Sequence, residues 1–257
     1  MKEREVWIRF RVLLPVLALF ISWELMSRGG FVDKVLFPAP STVAMALAEM
    51  TSSGELWRDL KASFTRLIGG VAFGVAVGIG LGLITGRMRF LSDILSPVIT
   101  LFRPLPPVAI IPLIIVWLGI GELAKIFSIG FAVFFPVWLN THAGARQVPQ
   151  KYLWSAATLT HSRAKVFAKI IFPAALPFVA TGVRLGISVA FVMVFVAELA
   201  GASSGIGYVI ATSNLSYWID RMIAGLVVLG ACGALADYLF VRGLYRACPW
   251  LRFAERS

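Results

Sequence analysis

The chain has 257 residues, of which 59% are hydrophobic and 14% charged, with a mean hydropathy of +0.85. A water-soluble domain of this length exposes more polar side chain than that, so lipid is the solvent for most of it; at ~20 apolar residues per crossing the length holds about six spans. The net charge of +11 flanks apolar runs instead of forming a basic stripe among exposed aromatics, which argues against nucleic acid and makes the charge a matter of topology and headgroup contact.

The first span is expected at 8–27, interrupted only by Glu24. A basic start before an apolar run also suits a signal peptide, but Trp23-Glu24 and the lack of a small-residue cleavage site favour a retained span. Residues 28–61 are rich in turn formers, and Pro38-Ala39-Pro40-Ser41 caps a short amphipathic helix over 41–50. The second span, 62–86, stops at Gly86-Arg87-Met88-Arg89. Within it Gly70, Gly74, Gly78, Gly82 and Gly86 recur every fourth residue, a stripe that lets a neighbouring helix approach backbone to backbone; packing is the first reading and lining of a pathway the second.

Residues 92–119 are apolar but carry Pro97, Pro104, Pro106, Pro107 and Pro112. Broken helices survive in a bilayer where protein or a water-filled cavity surrounds them, so this stretch is a candidate pathway wall. After a tight turn at Gly119-Ile120-Gly121-Glu122 the fourth span covers 123–140. The polar connection 141–173 reads as two short helices, one opening at Pro149 and one from Ser162 to Phe172, with Pro173 and Pro177 restarting the chain into a fifth span that ends near Ala200. A Gly/Ser-rich stretch, 201–220, precedes the sixth span, 222–245. Such long, unalternating runs make an all-α membrane bundle and not a β-barrel, with 1–257 as one domain.

With six spans, one side holds Lys2, Arg4, Arg9, Arg11, Arg87, Arg89, Arg146, Lys151, Arg163, Lys165, Lys169, Arg242, Arg246, Arg252 and Arg256. The other holds Arg28, Lys34, Arg58, Lys61 and Arg221, largely balanced by acids, so the positive-inside rule expects both termini and the 141–173 loop in the cytoplasm. Ionisable groups within spans are functional candidates because lipid penalises them. Glu24 reads as an interfacial anchor before a gate or partner contact, Arg103 as a salt bridge or headgroup contact before an anion-pathway role, and Arg184 as a first-turn cytoplasmic anchor. Glu198 contacts an outside partner or braces the following loop, and Asp237 pairs within the bundle before it touches substrate. The loop histidines His142 and His161 lack the spacing of a metal site, no cysteine joins them, and Cys232 and Cys248 are too few for a disulfide framework. Ser203-Ser204-Gly205 reads as a turn, and the chain has no phosphate-binding GxxxxGK[ST] segment.

Several segments together resemble the permease subunits of bacterial ATP-binding-cassette importers, nearest the aliphatic sulfonate, taurine and nitrate group. They are Arg103-Pro104-Leu105-Pro106-Pro107 through Ile111-Pro112-Leu113, Trp117 through Glu122, Phe135-Pro136, and Ala197-Glu198 through Tyr208. Val148-Pro149 and Ile171-Phe172-Pro173-Ala174-Ala175-Leu176-Pro177 also match the frame of the family's cytoplasmic Glu-Ala-Ala loop. In that register Trp154 stands for the family glutamate, Ser155 and Ala156 for the alanine pair, and Thr160 for the glycine, so the inner motif is degenerate.

The resemblance implies a type I importer permease of the bacterial inner membrane. Its loop, with Pro149, Trp154, Ser155, Ala156, Thr160, Arg163 and Pro173, would dock on a cytoplasmic ATPase. It further implies a second permease copy, a periplasmic binding protein, and no cofactor in this chain, ATP and Mg being held by the partner ATPase. Arg103, Pro106, Pro107 and Glu198 are then candidates for pathway or gate. The expected cargo is a small oxyanion (sulfonate, taurine, nitrate or bicarbonate), with an organic nutrient such as a thiamine precursor or riboflavin as the alternative and a membrane enzyme as the runner-up class.

Overall fold

Apolar runs in lipid satisfy their backbone groups internally, and every element of the described chain is a helix. The computed structural model describes residues 2–160 and 162–250, with side chains from Leu14 onward except at 157 and 163. His161, Arg252 and Arg256 lie outside the described residues, as do the side chains of Lys2, Arg4, Arg9, Arg11 and Arg163. In chain order the elements are α1 (Lys2–Arg28), α2 (Pro40–Ser52), α3 (Glu55–Arg87), α4 (Arg89–Phe102), α5 (Pro107–Leu118) and α6 (Glu122–Arg146). There follow α7 (Gln150–Leu159), α8 (Arg163–Val166), α9 (Phe172–Leu199), α10 (Ile206–Leu215) and α11 (Ile219–Ala247).

The glycine stripe of α3 faces α6. A Cβ at Gly70 would lie 2.5 Å from Ile129, at Gly74 2.5 Å from the Gly130 carbonyl, at Gly78 2.8 Å from Val137, at Gly82 2.6 Å from Thr141 and at Gly86 2.6 Å from Ala145. Both numbers rise together, so α3 and α6 run parallel at close approach. The stretch between them must therefore carry the chain back across the bilayer. That decides the status of α4 and α5, which are bent by 100° and pass as a span only together: they are one broken crossing and not a re-entrant hairpin. Among the described residues four helices, Glu55–Arg87, Glu122–Arg146, Ala164–Leu199 and Ile219–Ala247, are long and apolar enough to cross unaided, and the broken pair makes a fifth.

Helix α9 packs antiparallel on α6, with Gly182 against Asn140 and Val137 and Gly186 against Val133. The core of Leu67, Ile111, Ile129, Val133, Val137, Phe191 and Val194 sits where α3, α5, α6 and α9 meet. A second cluster, Val43, Met50, Leu56, Ile206, Ile210 and Ala224, joins α2, α10 and α11 to the start of α3.

Three boundaries differ from the sequence reading. Helix α3 begins at Glu55 instead of 62, because Asp59, Ser63 and Arg66 are buried and paired inside the bundle. Helix α6 runs on to Arg146, so His142 is a helical residue and not a loop one, its Nδ1 2.9 Å from Thr85 Oγ1. Pro173 and Pro177 do not restart the chain. A π turn at Phe167–Ile171 leads straight into α9, giving unbroken helix over Ala164–Leu199; a π turn is one of the ways a helix absorbs a local mismatch.

Candidate functional site

At the end of the bundle where α6 begins, the polar residues of α3 share one face with its glycines. Asp59, Ser63 and Arg66 precede Gly70 at helical spacing and are all buried. Arg66, only 3% exposed, is held by two acids from other helices. Its Nε donates to Glu122 Oε2 at 2.6 Å, Nη2 to Glu122 Oε1 at 2.8 Å, and Nη1 to Glu198 Oε1 at 2.8 Å. Lys125 Nζ adds a 2.9 Å bond to Glu122. The two-pronged contact with Glu122 is the geometry in which a guanidinium meets a carboxylate most strongly.

The same cluster clamps the loop before α10. Arg66 Nη1 donates to the Ser204 carbonyl at 2.6 Å. The Gly205 N–H donates to Asp59 (2.9 Å), the Ile206 N–H to Ser63 Oγ (2.9 Å) and the Gly207 N–H to Glu198 (2.7 Å). Helix starts leave such donors without partners, and here acids and a hydroxyl from α3 and α9 supply them. Gly205 has φ +120°, and a Cβ there would lie 2.5 Å from the Glu198 carboxylate, so glycine is required twice over. Every polar group of the cluster is matched and Glu198 has no exposed side-chain surface. The arrangement holds four segments together; it offers no free nucleophile or base.

Glu198 thus bonds to the loop before α10, one of its two expected roles, and its side chain is buried. Ser203-Ser204-Gly205 is the clamped turn. The sequence reading misses Asp59, Ser63 and Arg66, because a second span begun at 62 leaves the residues around its start as loop and margin. Their place on the glycine face is the signal available.

Arg184 lies mid-helix in α9, about 21 Å along it from Glu198 at 1.5 Å per residue. It is therefore no first-turn anchor. Its Nε and Nη2 meet Asp237 of α11 at 2.7 and 2.8 Å, so Asp237 pairs within the bundle. The pair borders a groove of about 620 Å³ between α9 and α11. Glu24 bonds to Arg28 and to the Ser41 backbone N–H and hydroxyl, tying α1 to the start of α2.

At the opposite end, beyond the Gly86–Ala145 contact, hangs the 147–171 connection. Pro149 precedes the first turn of α7, Ala156 is buried, and Ser155 is exposed, its hydroxyl bonded back to Lys151. Thr160 ends α7 in extended conformation, φ −159°, so the family's glycine freedom is not needed here. Tyr152, Trp154 and Leu159 are exposed, Trp154 by 67%. Pro173 lies in the first turn of α9. At the α4–α5 corner Arg103 and Pro106 are exposed, and Pro107 opens α5. Among the described residues no group of His, Cys, Asp and Glu is arranged to hold a metal ion.

The model of the family described as binding-protein-dependent transport system inner membrane component matches residues 74–247. The chain belongs to that family. It is 34% identical to the putative aliphatic sulfonates transport permease protein of Bacillus subtilis (strain 168) over 95% of this chain and 88% of that one. It is also 34% identical to the taurine transport system permease protein of Escherichia coli (strain K12), over 89% and 85% respectively. In fold it is similar to a chain of the MetNI methionine ABC transporter in an inward-facing conformation (TM-score 0.60, 19% identity, 72% of this chain and 92% of that). An amino acid ABC transporter chain matches with a TM-score of 0.59 at 16% identity over 82% and 97%. The chain is thus a multi-pass inner-membrane transport permease.

Proposed function

We propose that this permease carries a small oxyanion, a sulfonate, taurine, nitrate or bicarbonate, into the cell by alternating access. The carrying observation is the similarity to aliphatic sulfonate and taurine permeases over nearly the full length of each. Two copies form the pathway, with α1 supplying a sixth crossing and both termini in the cytoplasm. A periplasmic binding protein delivers the substrate to the end bearing the Arg66 cluster.

Partner ATPases, holding ATP and Mg, dock on α7 at the opposite end. The exposed Tyr152, Trp154 and Leu159 support that contact, since exposed aromatics that fill a pocket contribute most to an interface. A helix joined to α6 by three residues, with α8 and its π turn running stiffly into α9, passes on a push that a floppy loop would absorb. The broken α4–α5 crossing, with Pro106 and Pro107, lines the pathway.

The test is uptake into proteoliposomes holding the permease, the ATPase and internal ATP, with binding protein outside. Trp154→Ala should lower binding-protein-stimulated ATP hydrolysis at least tenfold while leaving the permease folded. Uptake without any ATPase, or residue 155 mapped to the periplasm, would refute the reading.

A further inference from the structure

The corner between α4 and α5 leaves a charge in an unusual place. At 1.5 Å per residue α4 is about 21 Å long and α5 about 18 Å; joined at a 100° bend they reach about 25 Å, with the corner about 15 Å from the start of α4. That start lies beside Gly86, at one membrane face, and α5 leads to Glu122 at the other, so the corner falls near mid-depth in a hydrocarbon core of ~30 Å. Residues 101–106 are all exposed there, Arg103 among them. Among the described residues no acid pairs with its guanidinium, whereas Arg66 and Arg184 at other depths each have carboxylate partners.

Two physical arguments turn this corner away from lipid. A charged side chain near the bilayer centre costs several kcal/mol. Non-helical backbone at that depth survives only against protein or a water-filled cavity, and Pro104, Pro106 and Pro107 have no N–H with which to close their own turns. The buried side of the crossing is already assigned: Ile111 and Ile114 of α5 face the core, while α4 buries none of its residues. The corner is therefore the exposed part that meets water.

The geometry points to Arg103 as the mid-membrane recognition residue for an oxyanion substrate. This rests on the permease reading above and names the side chain that the cargo touches. A guanidinium without a counter-ion presents paired N–H donors that match two oxygens of a sulfonate, nitrate or bicarbonate. Two copies of the chain bring two such groups to one pathway, a positive constriction that admits anions and turns back cations.

Two measurements in the assembled transporter test it. The thiol introduced by Leu105→Cys should react with a water-soluble charged thiosulfonate reagent, and an alkanesulfonate at saturating concentration should slow that reaction. For uptake, Arg103→Gln should lower kcat/KM for the alkanesulfonate at least 100-fold and Arg103→Lys about 10-fold, with ATPase assembly unchanged in both. An introduced thiol that no aqueous reagent reaches places the corner in lipid or under protein and overturns the proposal. So does an Arg103→Gln variant with wild-type kcat/KM. If Arg103→Gln fails to assemble, protection of the thiol by the alkanesulfonate in the Leu105→Cys variant, which retains Arg103, decides, its absence counting against the proposal. Wild-type protein that takes up no sulfonate, taurine, nitrate or bicarbonate would instead refute the function on which this rests.

Discussion

Replacing Arg66 by methionine should cost more stability than any other single change at the bundle surface or in its clamps. The guanidinium is 3% exposed and neutralises Glu198, whose side chain has no exposed area; Glu122 is 58% exposed and can turn to water. Loss of Arg66 leaves Glu198 as a buried carboxylate supported only by Ser63 and the Gly207 N–H. Breaking a buried pair from one side costs about 3–5 kcal/mol, against about 0.2–1 kcal/mol for an exposed one. At roughly 2–4 °C per kcal/mol for a chain of this size, the melting temperature should fall by about 6–20 °C. Arg221→Ala is the control: it breaks contacts of a half-buried guanidinium with the exposed Glu49 and the half-buried Glu55, and should shift melting by about 4 °C or less. The assay is thermal unfolding of the detergent-purified permease, followed by the monodisperse fraction remaining. Because the penalty is an orphaned charge, Glu198→Gln added to Arg66→Met should recover part of the loss. Equal shifts for Arg66→Met and Arg221→Ala, or a double variant worse than the sum of its parts, would refute the argument.

The glycine stripe gives a matched pair. Gly78→Ala places a methyl 2.8 Å from Val137 and should cost about 1–3 kcal/mol in the same assay, while Gly80→Ala meets nothing within 4 Å and should be neutral or stabilising by up to about 1 kcal/mol. Arg184→Gln and Asp237→Asn should each lose roughly 0.5–1.5 kcal/mol, as interhelical polar contacts in membranes do, and the combined variant should lose less than their sum. Additive losses would mean that the two side chains do not support each other.

The helices and the close-packed face of α3 are legible because each rests on local pattern: apolar length for the spans, a four-residue glycine repeat for the contact with α6. Residues 92–119 also announce a broken element through their prolines. What is not legible are facts about distance between segments. Arg184 reads as an end anchor when the span is begun at Pro177. In the structure helix continues through both prolines, so the same residue lies deep in the span with Asp237 53 residues away. Arg66 escapes notice in the same way, since no local signal in the sequence links it to Glu122 and Glu198, 56 and 132 residues on.

The division between fixed and movable parts follows from these contacts. Five successive glycine contacts lock α3 to α6 in parallel register, and Arg66 ties both to α9 at one end. Sliding α3 along α6 by one turn would keep the glycines aligned but would tear Arg66 from Glu122 and Thr85 from Trp138 and His142. These helices therefore move as a unit, and a change of access must be taken up elsewhere. The candidates are the α4–α5 corner, where residues 101–106 are all exposed, and α7, which reaches outward from the bundle and passes motion on to α6 and α9. One holds Arg103, which no acid neutralises among the described residues, and the other the exposed Trp154. The segment proposed to meet the substrate is thus the one that can yield, and the segment proposed to meet the ATPase is the one that carries its push into the locked helices.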